Sequence, residues 1–345
     1  DFLISIAYSS ELPLAISFVT FTAIALLIDV KNKKYSGETN FTNISEFLIY
    51  FPQLIAGPIL RAKELIPELK KKILFSKSNI RFGIFLFTVG FIKKIFLADS
   101  IASFVDPIFE NPDLAEGKDI IKAYLLFPLQ IYFDFSGYVD MALGISKILN
   151  VDLPINFNKP YLSKSLTEFW RNWHITLSSW FRDYIYIPMG GSKSGEINLF
   201  FSLIITMSIA GLWHGASLNF ILWGFLNGSL LFLEKKLPAK FGLNNFTKIM
   251  ITCILTFSLW VIFRIQDFNV MILFYQSLIY NFETFIYFEN LILFSLVILA
   301  IYSQKFDNYY YIEKLAQKFN LTTILPIIII IILTGLAINV GSSDK

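Results

Sequence analysis

The chain is short of the charge that keeps soluble proteins in water. Charged residues make up 16% of its 345 residues, against about 25% in ordinary soluble domains. With 55% hydrophobic residues and a mean hydropathy of +0.60, it carries more apolar surface than one core hides, whereas a bilayer accepts that surface without penalty. Cysteine is nearly absent as well. Cys253, inside the apolar run Ile249 to Phe263, is the single one, which excludes an internal disulfide and a thiolate metal cluster and leaves packing as its role. Histidine occurs twice, too few borderline ligands for a metal site. The net charge of +3 argues against nucleic acid as a partner. Lys and Arg sit in short clusters between apolar runs, as membrane-edge anchors do, so lipid is the first partner expected. No basic n-region followed by a small-residue cleavage site opens the sequence, and no secretory signal is visible.

What is present is a series of apolar segments near the length of about 20 residues that a crossing needs. Eight are expected: Leu12 to Val30, Phe47 to Leu60, Ile80 to Ala98, Ile120 to Leu149, Asn198 to Leu212, Ser217 to Leu233, Ile249 to Phe263 and Asn290 to Ser303. Thr322 to Ile338 is a ninth. The second carries Pro52, Gly57 and Pro58, so a re-entrant hairpin competes with a full crossing. The fourth holds Pro128, Asp134, Gly137 and Asp140 and is expected to be broken. Broken helices and polar groups survive at membrane depth only beside protein or a water-filled cavity, so the chain should enclose one. Basic loops at Lys31 to Lys34, Lys63 to Lys72 and Lys235 to Lys236 do not alternate cleanly and leave orientation open. Without repeats or linkers, residues 1–345 read as a single domain.

Residues 161–191 are too polar to span and too aromatic for a solvated loop. Trp170, Trp173, His174, Leu177, Trp180, Phe181 and Tyr184 recur at helical steps, predicting one amphipathic face, with Glu168, Arg171, Ser178 and Arg182 on a neighbouring stripe. Ser165 ahead of Glu168 predicts a capped helix start. Such a helix is either a headgroup anchor or the floor of a cavity with His174 facing it.

His214 lies in "GLWHGAS", among small residues that let a substrate approach. Imidazole, with a pKa of about 6.5, is the side chain suited to accept a proton from an alcohol at neutral pH; the competing role is a bond to a backbone carbonyl at a helix break. Asp134 and Asp140 are candidates for function or for helix pairing. Asn219 and Asn227 predict interhelical hydrogen bonds, and Arg264 predicts snorkelling to an interface.

The stretches Phe51–Arg61, Tyr132–Gly144, Asn156–Gly191, Gly211–Gly224 and Trp260–Arg264, in this order, resemble the membrane-bound O-acyltransferase family, in its bacterial branch acting on extracytoplasmic polysaccharides. The resemblance implies an all-α, multi-span ring of tilted helices around a central tunnel, with re-entrant and interfacial helices, in the bacterial cytoplasmic membrane. It places the essential histidine at His214 and a second at His174. It further implies acetyl-CoA or another acyl thioester as donor substrate, with no bound cofactor, and Asp134, Arg171, Trp173, Trp213 and Asn219 as candidates lining the donor passage. The acceptor would be a polysaccharide hydroxyl, and an extracytoplasmic esterase-like acyltransferase would be the protein partner. Members of this branch carry further spans before Leu12 and a short tail beyond Lys345, so truncation at both ends is expected. A multi-span transporter and a non-catalytic scaffold for a periplasmic acyltransferase are the alternatives.

Overall fold

A computed structural model describes residues 15–335 except 39, 55–56, 73–74, 194, 238–241 and 321–324. Among the described residues every regular element is helical and none is a strand. Gly195–His214 and Asn245–Arg264, of 20 residues each, are long and apolar enough to cross a bilayer; at 1.5 Å per residue each measures about 30 Å. Phe201, Ile205, Ile209 and Leu212 are exposed on the first, while Leu203, Thr206 and Ala210 are buried. That asymmetry is what a helix with lipid on one side and protein on the other needs.

The remaining expected spans meet the same requirement less simply. Glu289–Ser303 and Leu325–Gly335 are apolar but shorter, as is Phe268–Tyr280, which is not among the expected spans; the flanks of Leu325–Gly335, like Leu12 to Leu14, lie outside the described residues. The stretch Phe47 to Leu60 is not one helix. Phe41–Ile49 ends at Tyr50, a single turn Phe51–Leu54 follows, and Gly57 to Arg61 have no regular structure.

The break expected between Ile120 and Leu149 is absent: Gly117–Ile148 is one helix of 32 residues. Proline costs a helix its own N–H, but neighbours hold this turn in place. The Tyr161 hydroxyl donates to the Pro128 carbonyl at 2.7 Å, and the Trp260 indole N–H donates to that hydroxyl at 3.1 Å. Gly137 serves packing. It faces Gly90, and Gly144 faces Gly83, so closely that a Cβ on any of the four would run into its partner's carbonyl. Two glycines seven residues apart on each helix therefore bring Lys77–Phe91 and the long helix to backbone contact, antiparallel.

Past Phe91 the chain widens into a π-helix, Ile92–Ala98, and the wider turn directs two consecutive lysines at the long helix. Lys93 Nζ lies 2.6 Å from Asp140 and 2.6 Å from Asp307. Tyr132 and Tyr309 donate their hydroxyls to Asp307 and Asp140. Lys94 Nζ lies 2.5 Å from Asp134 and 2.7 Å from Asp99. Arg264, expected to snorkel, is partly exposed and pairs with Asp106 at 3.1 Å, because the helix Asp99–Glu110 passes beside it.

Lys93 is buried and Lys94 partly exposed, which separates their energetics. Lys93→Ala leaves Asp140 and Asp307 buried without their cation and is expected to cost about 3–5 kcal/mol. Lys94→Ala is expected to cost about 1 kcal/mol or less. Thermal unfolding in detergent checks this; equal midpoints for the two variants would contradict it.

Candidate active site

Ser165 accepts the Glu168 N–H at 3.1 Å and starts a helix, as its sequence predicts. That helix, Leu166–Asn172, does not continue: Trp173 is extended, His174 is left-handed (φ 42°, ψ 55°), and a second helix runs Ile175–Phe181. The single aromatic face predicted across residues 170–184 is therefore divided in two. A side-chain-bearing residue in the left-handed region costs energy and persists only where its surroundings fix it. Here the Asn156 carbonyl accepts the Ile175 N–H at 3.0 Å, and its side-chain oxygen accepts both the N–H and the hydroxyl of Thr176 at 3.0 and 2.9 Å. The Thr176 hydroxyl oxygen in turn accepts the Ile59 N–H at 2.9 Å, which ties in the loop after Gly57.

The aromatic side chains face protein. Trp173 packs on Phe157 and Trp260 with ring centroids 5.0 Å away, and Trp180 packs on Phe21 at 4.2 Å while donating its N–H to the Phe21 carbonyl. Both are buried, so neither is held out to a headgroup layer; the surrounding helices close over them.

His214 ends the helix Gly195–His214, and Leu218–Lys236 returns beside it after a three-residue turn capped by Ser217. Gly211 lets the two come close, since a Cβ there would strike the Phe220 carbonyl. The imidazole of His214 lies 4.7 Å from the Phe263 ring and 4.6 Å from that of Trp213. Trp213 also stands 6.3 Å from His174, whose ring packs on Phe135 at 4.6 Å. One indole thus neighbours both imidazoles. His174 is 3% exposed, and neither of its nitrogens, nor the Trp213 N–H, has a hydrogen-bond partner among the described residues.

A cavity of about 460 Å³ runs between this hairpin and the aromatic segment. Leu203, Thr206, Met207, Ala210 and His214 form one wall, a single helical face rising about 16 Å. Ile175, Leu177, Ser178 and Phe181 stand opposite, with Trp223 and Leu231 from the returning helix. The cavity is mainly apolar along its length, with the hydroxyl residues Ser178, Ser179 and Thr206 among its lining, and cationic at its opening, where Arg171, Arg182 and Lys235 are all exposed. Lys235 lies twelve residues, about 18 Å of helix, beyond Trp223, whose ring is 5.9 Å from His214. It donates to the Tyr186 hydroxyl at 2.9 Å.

Of the site residues that the family resemblance implies, Arg171 and His214 line this cavity, while His174, Trp173, Trp213, Asn219 and Asp134 do not; Trp170, Leu177, Ser178, Phe181 and Arg182 of the aromatic segment line it too. Trp213 is in ring contact with both His214 and His174. Asn219 donates to the Ile265 carbonyl at 2.6 Å and Asn227 accepts from the Trp170 indole at 3.2 Å, the helix-joining role predicted for both. Asp134 is held by Lys94. Thr206, Tyr186, Trp223 and Asn156 are absent from the sequence-based candidates. Thr206 shares a helical face with His214 eight residues on, a signal that was available; Asn156, 18 positions before His174, had none.

Residues 16–277 match the sequence model of the MBOAT, membrane-bound O-acyltransferase family. The chain is 39% identical over 273 residues to the probable alginate O-acetylase AlgI of Pseudomonas aeruginosa, covering 77% of this chain and 51% of that protein. It is 39% identical over 290 residues to the peptidoglycan O-acetyltransferase of Helicobacter pylori, covering 74% and 54%. It is 28% identical over 246 residues to the teichoic acid D-alanyltransferase of Bacillus subtilis, covering 64% and 60%. The chain thus spans about half the length of the first two.

The stitch at His174 makes a stability prediction. Asn156→Ala strips two buried donors of Thr176 of their acceptor and is expected to cost about 1–3 kcal/mol, whereas Asn158→Ala, at an exposed neighbour, should leave the unfolding midpoint in place. Equal midpoints for N156A and wild type would show that the His174 conformation does not depend on this side chain.

Proposed function

Because the chain belongs to the membrane-bound O-acyltransferase family, we propose that it transfers an acyl group, acetyl in the first instance, from a cytoplasmic thioester to a hydroxyl of an extracytoplasmic polysaccharide. The observation that carries this reading is the position of His214 in a cavity whose opening is lined with cations and whose walls are mainly apolar. Phosphates of a donor such as acetyl-CoA suit Arg171, Arg182 and Lys235, while the slender arm of such a donor suits the apolar walls. The fold we propose around it is a single multi-span domain of tilted helices in a bacterial cytoplasmic membrane, the cavity being the inner half of a tunnel. An extracytoplasmic esterase-like acyltransferase would be its protein partner.

In this mechanism His214 takes the proton of the acceptor hydroxyl as the oxygen attacks the thioester carbonyl carbon. The C–O bond forms, the C–S bond breaks, and the departing thiolate receives the proton from the imidazolium. No net proton is released. The apolar walls exclude water, which would otherwise compete as acceptor. His174, in contact with the Trp213 indole, is proposed to position that ring and through it His214. The named activities of the three relatives support a glycan acceptor, since each acts on a polymer that carries hydroxyls.

His214→Ala is expected to abolish transfer of a labelled acyl group to polymer in membranes while leaving the protein's membrane abundance and thermal midpoint unchanged. A folded variant with most of its turnover would remove this histidine from the mechanism. Label recovered only as free donor inside vesicles would favour transport instead.

A further inference from the structure

Several buried hydroxyls on the helices of this chain bond back to their own helix. Thr22, Thr88, Ser146, Thr252 and Thr256 each donate to the carbonyl one turn back, at 2.7 to 2.9 Å. Ser136 and Thr206 are left without a partner among the described residues, and of the two it is Thr206 that lies on the cavity beside His214. It is mid-helix and 6% exposed. The serines opposite are committed, Ser178 to the Trp173 carbonyl and Ser179 to the Thr176 carbonyl.

A buried hydroxyl left without a partner carries its full desolvation penalty, so the site favours an occupant that supplies one. We propose that the Thr206 hydroxyl hydrogen-bonds an amide of the donor's arm, and that it thereby sets the depth to which the thioester reaches toward His214; this rests on the reading of the cavity as the donor passage. Leu203, Met207 and Ala210, its neighbours on the same face, offer an arm nothing but apolar contact. An aliphatic lipid chain in the cavity would leave the hydroxyl unmet, whereas an amide carries both a donor and an acceptor. Depth selects which amide. A pantetheine-type arm has two between thiol and phosphate. Thr206 lies about 12 Å of helix before His214, toward the cationic opening. With the acyl carbon at His214, the amide nearest sulfur falls close to the histidine and the farther one falls beside Thr206.

The test uses the full chain in nanodiscs and two non-hydrolysable thioether probes: an acetyl-CoA analogue with both amides, and an analogue truncated after the amide nearest sulfur. Thr206→Val is expected to raise Kd for the CoA analogue about three- to tenfold, the worth of one hydrogen bond, and to leave Kd for the truncated probe unchanged. Thr206→Ser should restore tight binding, which a purely structural role for the methyl group would not produce. Unchanged affinity of T206V for the CoA analogue, or an equal loss for both probes, would overturn the inference while leaving the acyl-transfer reading intact. Absence of saturable binding of the CoA analogue by the wild-type chain would instead overturn the donor passage itself.

Discussion

A buried lysine between two aspartates fixes the helix on which the rest of this structure leans. Lys93 joins three parts of the chain at one point: its own helix, the long helix through Asp140, and the turn after Ser303 through Asp307. Ions at this depth are tolerable only when each remaining lone pair is met, and Tyr132 and Tyr309 meet two of them. The long helix is then a rigid spine. Tyr161 hangs on its Pro128 carbonyl, and the ring of Phe135 supports His174.

From that spine the site follows by two local devices of opposite kind. The aromatic segment is interrupted at His174 by a left-handed residue held by Asn156, and the interruption turns the histidine inward. The hairpin is uninterrupted up to His214, and its glycines press the two arms together so that the histidine ends one wall of a cavity. One imidazole is enclosed and the other is exposed. Chemistry on a substrate requires the exposed one, and a supporting role suits the enclosed one.

Helical content, capping and the likeness of whole stretches to one family were legible in the sequence because each depends on neighbours within a few residues. Ser165 capping Glu168 and the joining roles of Asn219 and Asn227 were of this kind. What misled was inferring tertiary outcomes from local chemistry. Pro128 and Gly137 look like breakers until one sees that a tyrosine steadies the first and that the second is the partner of Gly90. The aromatic stripe of residues 170–184 looked like one face because nothing in its spacing reveals the bend that Asn156 imposes. The pairing of Asp134 with Lys94 was not legible either, because the π-helix that swings Lys94 toward it leaves no mark in the pattern of apolar residues. Hydropathy alone likewise does not reveal the paired charges that join helices of mixed composition, such as Lys93 with Asp140 and Asp307.

Buried polar atoms without a partner among the described residues occur both in the scaffold, at Gln53, Ser136, Asn290 and Gln304, and beside the cavity. Acid-base pairs and back-bonded hydroxyls occupy the interfaces between helices, where an unmet group would only weaken the fold. The exceptions near the cavity, namely the His174 nitrogens, the Trp213 N–H and the Thr206 hydroxyl, lie on or beside the wall that ends at His214. Of these, the Thr206 hydroxyl alone belongs to a residue lining the passage, so it is the group to which an entering molecule can supply the missing partner.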